Sequence, residues 1–78
     1  MKAVILAAGM ATRLKPLTDE TPKTLLEING KPILYYMLNN LKMNGIYDIV
    51  IVTGFMREKI EDYVKNNFND LKFEFVYN

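Results

Sequence analysis

Two continuous apolar runs constrain the fold of this chain more than any other feature. The first is Lys2–Ala8, which ends at a glycine, and the second is Asp48–Thr53, whose centre is β-branched throughout. Such runs are typical of strands that are buried on both faces, and these strands belong to parallel sheets covered by helices. The sequence therefore predicts an α/β fold built on a parallel sheet.

Two amphipathic segments are expected to form helices beside these strands. The first predicted helix has Pro32 in its first turn and is ended by Gly45, and the second spans Arg57–Asn67. Apolar residues recur at helical spacing in both, which indicates one buried face per helix. In the first helix they are Ile33, Leu34, Met37, Leu38 and Leu41. In the second helix they are Met56, Ile60, Tyr63, Val64 and Phe68.

Two shorter segments complete the predicted organisation. Lys23–Ile28 is expected to be extended and is closed by the turn dipeptide Asn29-Gly30, whereas Lys72–Tyr77 alternates like a third strand. The order predicts a right-handed βαβαβ unit, the Rossmann-like half of a doubly wound fold, with helices flanking a parallel sheet. A single domain is expected from 78 residues. Because three parallel strands leave long uncovered edges, we expect residues 1–78 to be the N-terminal, nucleotide-binding part of a longer domain.

Composition excludes several classes of function. Ten basic and nine acidic residues give a net charge of +1, which argues against nucleic-acid binding and against a basic membrane anchor. The chain has no cysteine and no histidine, so its chemistry must use carboxylates, lysine, arginine, hydroxyls and backbone amides. The apolar run after Lys2 is too short for a signal peptide or a membrane span, and we expect a soluble, cytoplasmic protein.

The predicted loop after the first strand, residues 9–22, has the composition of an anion site. Ligands of open α/β sheets bind outside the carboxyl ends of the strands, where this loop begins. Its small residues let backbone N–H groups approach a phosphate, Arg13 offers a planar fork of donors, and Lys15 and Lys23 add charge. The loop matches neither the Walker A motif nor the dinucleotide-binding glycine motif.

The segments Leu6–Thr18, Thr21–Lys23 and Asn29–Pro32 resemble the nucleotidylyltransferases that activate sugar phosphates and phosphocholine. The residues after Leu6 read Ala-Ala-Gly-Met-Ala-Thr-Arg-Leu-Lys-Pro-Leu-Thr, and a Pro-Lys pair follows about ten residues after the arginine. Ile49–Gly54 also looks like the second strand of that family. Alanine at positions 8 and 11 resembles the cytidylyltransferase branch, which includes phosphocholine activation.

The resemblance implies a fold and a reaction. The fold is that of nucleotide-diphospho-sugar transferases, and the reaction transfers a nucleotidyl group from a nucleoside triphosphate to a small phosphorylated acceptor, with release of pyrophosphate. It also implies Mg²⁺, with its aspartate ligands past residue 78. Asp19 and Glu20 are adjacent loop acids and are read as solvated, so no metal ligand is assigned within the chain. Homo-oligomerisation is left open.

The resemblance also assigns roles to individual residues. Arg13 would hold the triphosphate and the leaving pyrophosphate, and Lys23 would bridge the α-phosphate and the acceptor phosphate. Thr12 either contacts substrate or hydrogen-bonds within its own loop. The base and ribose would be contacted, partly through the backbone, by Leu6, Ala7, Ala8 and Gly9.

Two other interpretations compete with the enzyme. The same fold serves non-catalytic nucleotide-binding, regulatory and assembly modules, and a 78-residue product would bind without chemistry. A purely structural α/β fragment is the third interpretation. Retention of both Arg13 and Lys23 argues against the first alternative, and the long cationic loop argues against the second.

Overall fold

The computed structural model describes residues 1–7, 21–54 and 56–78. Within these ranges the elements are strand β1 (Lys2–Leu6), a 3-10 turn (Lys23–Leu25), strands β2 (Glu27–Ile28) and β3 (Lys31–Pro32), helix α1 (Ile33–Met43), strand β4 (Asp48–Thr53), helix α2 (Arg57–Asn67) and strand β5 (Lys72–Tyr77). Neither described helix is long and apolar enough to cross a membrane.

The main sheet is parallel and has the strand order β1-β4-β5. Its register places Lys2 opposite Asp48 and Asp48 opposite Lys72, so the three strands start together. Their carboxyl ends consequently meet at one edge of the sheet. The predicted βαβαβ unit and its parallel sheet are confirmed.

Both helices pack on the same face of this sheet. The strand order advances in one direction, and right-handed crossovers that advance in one direction lie on one side. The buried core joins residues from β1, β4, both helices and the turn before β5. Its members are Ile5, Ala7, Leu34, Leu38, Ile49, Ile51, Ile60, Val64, Phe68 and Leu71.

The opposite face of the sheet is open in the described part of the chain. Val4 is 61% exposed and Leu6 is 78% exposed, although the apolar run Lys2–Ala8 predicted burial on both faces. The prediction is wrong for β1 within the described structure, because both crossover helices cover the other face. Side chains alternate between the two faces of a strand, so Ile5 is buried while its neighbours Val4 and Leu6 are not.

Fewer residues of α1 are buried than the sequence pattern predicts. Leu34 and Leu38 are completely buried, whereas Met37 is 37% exposed and Ile33 is half-buried. The two fully buried residues, Leu34 and Leu38, lie four positions apart and are therefore neighbours on the side of the helix that faces the sheet. For α2 the predicted face is confirmed at Ile60 and Val64, which are fully buried, and at Phe68, which is buried immediately after the helix.

The segment before α1 differs from its predicted extended form. Leu25 N–H donates to the Pro22 carbonyl at 2.9 Å and Leu26 N–H to the Lys23 carbonyl at 3.1 Å, which closes the 3-10 turn. The turn dipeptide is confirmed, because Asn29 has φ 53° and Gly30 has φ 80°. These left-handed conformations suit a two-residue hairpin loop and allow β2 and β3 to pair antiparallel.

The ends of α1 are set by Pro32 and Gly45. Pro32 immediately precedes the helix with an extended ψ of 152° instead of lying in its first turn, since it still pairs with Glu27 in the hairpin. Gly45 has φ 78° and its N–H donates to the Lys42 carbonyl at 3.0 Å. A left-handed glycine ends the helix as predicted.

Candidate functional site

The candidate site is the edge where the carboxyl ends of the parallel strands meet. β1 ends there at Leu6, β4 at Thr53 and β5 at Tyr77. In open α/β sheets this edge is where ligands bind. Of the predicted site residues, Leu6, Ala7 and Lys23 are described, whereas Ala8, Gly9, Thr12 and Arg13 lie outside the described residues.

Leu6 and Ala7 are adjacent but face opposite sides of the sheet. Ala7 is 5% exposed and belongs to the core, and its N–H donates to the Val52 carbonyl at 2.8 Å. Leu6 is 78% exposed. A ligand at this edge can therefore contact the Leu6 side chain directly, whereas the side chain and N–H of Ala7 are already engaged in the fold.

Lys23 is exposed on a turn that is well anchored. Pro22, immediately before it, is fully buried, and Leu25, at the end of the turn, packs against the core. The Ile33 N–H donates to the Leu26 carbonyl at 2.9 Å, which ties the turn to the start of α1. An exposed ammonium group on such a support can meet an anion with little backbone rearrangement.

The hairpin between this turn and α1 is also held to the helix. The Tyr36 hydroxyl donates to the Ile28 carbonyl at 2.7 Å, and Lys31 Nζ lies 5.2 Å from the centre of the Tyr35 ring. Both tyrosines are on α1, whose first residue follows Pro32 directly. The hairpin therefore fixes the path of the chain from Lys23 to the helix.

Thr53 ties the ends of β4 and β5 together at the candidate site. It is 1% exposed, and its hydroxyl donates to the Val76 carbonyl at 3.4 Å. The Asn78 N–H donates to the Thr53 carbonyl at 2.7 Å. These bonds continue the pairing of β4 and β5 to Asn78.

Arg57 adds a cation to this edge that the sequence interpretation missed. Its guanidinium carbon lies 4.6 Å from the centre of the Tyr77 ring, and its Nε lies 3.9 Å from Glu58 Oε1. Stacking on an aromatic ring orients a guanidinium group. The sequence signal was the position of Arg57 shortly after Gly54, at the end of a buried strand, but nothing in the pattern paired it with Tyr77.

An open groove runs beside Arg57 at the same edge. It has a volume of about 480 Å³, and Met56 enters α2 with a left-handed φ of 52°. The groove is lined by Gly54, Met56, Arg57, Glu58, Tyr77 and Asn78. It offers a cation, an aromatic face and amide groups to a polar ligand.

Comparison with known proteins relates the whole of this structure to one family. The sequence profile of nucleotidyl transferases matches residues 2–77. The choline-phosphate cytidylyltransferase of Streptococcus pneumoniae is 48% identical over 68 residues, which cover 87% of this chain and 29% of that protein. The glucose-1-phosphate cytidylyltransferase of Salmonella typhimurium is 41% identical over 81 residues, covering 100% of this chain and 32% of that protein.

Solved structures show the same fold. A CTP:phosphocholine cytidylyltransferase from Streptococcus pneumoniae superposes with a TM-score of 0.85 at 45% identity, over 99% of this chain and 32% of that one. A UDP-glucose pyrophosphorylase complexed with UDP-glucose has a TM-score of 0.88 at 29% identity, over 99% of this chain and 34% of that one. The chain thus spans about a third of the length of these relatives.

Proposed function

This chain belongs to the nucleotidyl transferase family, and from that premise we propose that the protein transfers a nucleotidyl group from a nucleoside triphosphate to a small phosphorylated acceptor. The match over residues 2–77 carries the proposal, because it runs through all three parallel strands and the turn that holds Lys23. Since the chain spans about a third of its relatives, we assign the reaction to the complete domain.

The proposed reaction exchanges one bond at the α-phosphorus. An ionised oxygen of the acceptor phosphate attacks that phosphorus and forms a new P–O bond. The bond from the α-phosphorus to the bridging oxygen breaks, and its electron pair leaves with pyrophosphate. A phosphate monoester is largely ionised near neutral pH, so the step needs no general base, and a chain without histidine can support it.

In this proposal the protein acts by positioning and by neutralising charge. Lys23 bridges the α-phosphate and the acceptor phosphate, which its exposed position on an anchored turn supports. Arg13 holds the triphosphate and the leaving pyrophosphate. Base and ribose are contacted by Leu6, Ala7, Ala8 and Gly9, and Thr12 is the further substrate contact. For Ala7 the contact is through backbone, since its side chain is buried.

Magnesium is part of the proposal, and its ligands are assigned to the part of the complete protein that follows residue 78. Within residues 1–7, 21–54 and 56–78, no three His, Cys, Asp or Glu side chains come together as metal ligands. We propose that the acidic ligands lie past residue 78, as the family resemblance implies. When bound, the metal would neutralise charge on the triphosphate.

The nucleotide we propose is CTP. Two relatives that match this chain well are named as cytidylyltransferases, one for choline phosphate and one for glucose 1-phosphate. Alanine at positions 8 and 11 resembles the same branch. The acceptor is a phosphorylated alcohol or a sugar 1-phosphate, since each presents the same kind of anion to Lys23.

Pyrophosphate release by the complete protein tests this proposal. We expect release with CTP and Mg²⁺ in the presence of phosphocholine or a hexose 1-phosphate, and slower release with UTP, dTTP or GTP. Equal or better use of dTTP or GTP would contradict the choice of CTP. Nucleotide binding without pyrophosphate release from any acceptor would favour the non-catalytic module instead.

A further inference from the structure

Strand β5 has a neighbour on one side only among the described residues. The strand order is β1-β4-β5, so β4 pairs with β5 and separates it from β1. We call the side of β5 that faces away from β4 its outer side and define it by Lys72–Tyr77. A strand at the side of a sheet presents a row of backbone N–H and C=O groups with which another strand can pair.

The backbone groups of alternate residues point to this outer side. The Lys72 N–H donates to the carbonyl of Tyr47, the residue before β4, at 2.8 Å. Lys72 therefore directs its backbone groups toward β4. Because these directions alternate along a strand, Phe73 and Phe75 offer their N–H and C=O groups on the outer side.

Charged and aromatic side chains alternate along β5. Lys72 and Glu74 are exposed on one face of the sheet, whereas Phe73 and Phe75 pack against the core on the face that carries the helices. The rings of Phe73 and Phe75 are stacked, with centres 6.0 Å apart and an angle of 17° between their planes. One face of β5 thus carries a cation and an anion two positions apart, so that two antiparallel copies can match unlike charges.

We propose that the outer side of β5 pairs with β5 of a second copy of this protein, antiparallel, so that the two sheets become one. The two-fold axis is normal to the sheet and passes between the two copies of Phe73. Lys72 then lies opposite Glu74 of the partner subunit, and the symmetry repeats this pair with the roles exchanged. Such opposed residues are about 4.5 Å apart at Cα, within reach of an ion pair. The proposal does not depend on the proposed reaction.

Charge selects this register over its neighbours. An axis through Lys72 or through Glu74 would place like charges directly opposite each other, which destabilises an antiparallel pair. An axis through Phe75 would place Glu74 opposite Val76 of the partner subunit and would leave both charges unmatched. The axis through Phe73 matches both charges of the strand twice.

The aromatic rings extend the contact on the other face. A two-fold axis normal to the sheet keeps the helices of both copies on the same face. It brings Phe73 beside Phe73 of the partner subunit, and the two stacked pairs join in one row. Phe73 and Phe75 are only half-buried within the described structure, so the pairing removes further aromatic surface from water.

Strand β1, at the other side of the sheet, is less suited to pairing with its own copy. Lys2 is its single charged residue, so no register of two antiparallel copies of β1 gives an ion pair within the strand. Lys2 Nζ lies 3.8 Å from Glu74 Oε1, and both side chains are more than half exposed, so Glu74 can still accept a second cation. A lysine on an outer strand normally opposes pairing, but in β5 it meets a carboxylate.

Charge reversal in the complete protein tests the proposal by sedimentation equilibrium. Lys72→Glu and Glu74→Lys each place like charges opposite each other twice, and we expect each to raise the dimer dissociation constant at least ~10-fold. Both changes in one chain exchange the charges and should restore the dimer. An equimolar mixture of the two single variants should form a heterodimer. Lys65→Glu, at an exposed residue of α2, changes the net charge as Lys72→Glu does and should leave the dimer unchanged.

Three outcomes would overturn the proposal. A complete protein that stays monomeric at every concentration would show that β5 does not pair with its copy. Equal dissociation constants for the original protein and both single variants would assign the dimer to another surface. A double variant that stays as weak as the single ones would reject this register.

Two further readouts keep these outcomes distinct. The thermal midpoint of each variant should stay unchanged, because Lys72 and Glu74 are exposed, so a lost dimer is not mistaken for a lost fold. Pyrophosphate release is measured separately. A charge-dependent dimer that releases no pyrophosphate would reject the proposed function and retain this proposal, and an active monomer would do the reverse.

Discussion

Lys23 is the described residue on which the proposed chemistry depends most directly. It begins a turn that is held from both sides, by the buried Pro22 and by the bond from the Ile33 N–H to the Leu26 carbonyl. The side chain itself is exposed, so its charge is free to act on a ligand without being needed for packing. Replacing such a residue can change activity without changing the stability of the fold.

Replacing Lys23 with alanine should therefore affect activity and not stability. In the complete protein we expect Lys23→Ala to lower kcat/KM by roughly 10²–10³-fold, the loss found when one charge-stabilising donor is removed from a transition state. The thermal midpoint should stay unchanged. Lys65→Ala, at an exposed residue in the last turn of α2, is the matched control and should do neither. A large fall in the midpoint with Lys23→Ala would show that the residue is structural.

The contact of Arg57 with Tyr77 could not be predicted from the sequence pattern. The sequence pattern predicts that a helix begins at Arg57, and α2 does begin there. Its contact with the Tyr77 ring at 4.6 Å depends on β4 and β5 being neighbours, which brings together residues twenty positions apart in sequence. Helical periodicity around Arg57 contains no information about that neighbour.

At the scale of elements, helix α1 shows how packing narrows an apolar face. Leu34 and Leu38 are fully buried, and Leu41 is packed at the side of the core. Met37 lies one residue before Leu38 and is 37% exposed. All these residues are apolar and fall within one helical stripe, so only their contact with the sheet distinguishes them.

Truncating two neighbours on α1 tests this difference. Leu38→Ala should lower the free energy of unfolding by about 2–5 kcal/mol, because it leaves a cavity between the helix and the sheet. Met37→Ala should cost less than about 1 kcal/mol, because its side chain is partly in solvent. Urea unfolding of the two variants provides the comparison. Equal losses would mean that the helix is rotated relative to the packing described above.

An ion pair joins the end of α1 to the turn before β5. The Lys42 ammonium donates to the Asp70 carboxylate. The hydrogen bond from Lys42 holds the pKa of Asp70 below its usual range, and the same bond raises the pKa of Lys42. Both side chains are partly exposed, at 39% and 44%, so the contribution of the pair to stability is small.

The pH dependence of stability should report this pair. Because the pKa of Asp70 is lowered by folding, its contribution is present above the unfolded pKa and is lost as the pH falls through the folded one. Because the pKa of Lys42 is raised, its contribution is lost only as the pH rises through that raised value. Asp70→Asn should lower the thermal midpoint slightly at pH 7 and flatten its fall in acid. Asp62→Asn, on α2, is the control, and an identical acid profile for both variants would contradict the assignment.

At the scale of the whole molecule, the described residues form one layer of helices on one face of a parallel sheet. The core lies on the face that the helices cover. Leu6, Thr53 and Tyr77 lie at the carboxyl edge, and Val4 and Leu6 are exposed on the other face. The three surfaces follow from one strand order, β1-β4-β5, because right-handed crossovers that advance in one direction must stay on one side. Leu6 therefore lies both at the candidate site and on the exposed face of the sheet.

The sequence by itself determined the elements and their order. The predicted bounds of β4, α2 and β5 agree with the structure, and the turn at Asn29-Gly30 has the left-handed conformations that these residues favour. These features depend on residues close together in the chain, through side-chain periodicity and turn chemistry. The family motif after β1 was also recognisable from local spacing alone, although Arg13 and its neighbours lie outside the described residues.

Only the tertiary structure decided which face of each element is covered. It left Val4 and Leu6 exposed, and it placed Arg57 on Tyr77. Each of these outcomes depends on which strands are neighbours and on which side the crossovers pass. Such contacts join residues far apart in the chain, and an apolar run has the same local pattern whether one of its faces is covered or both.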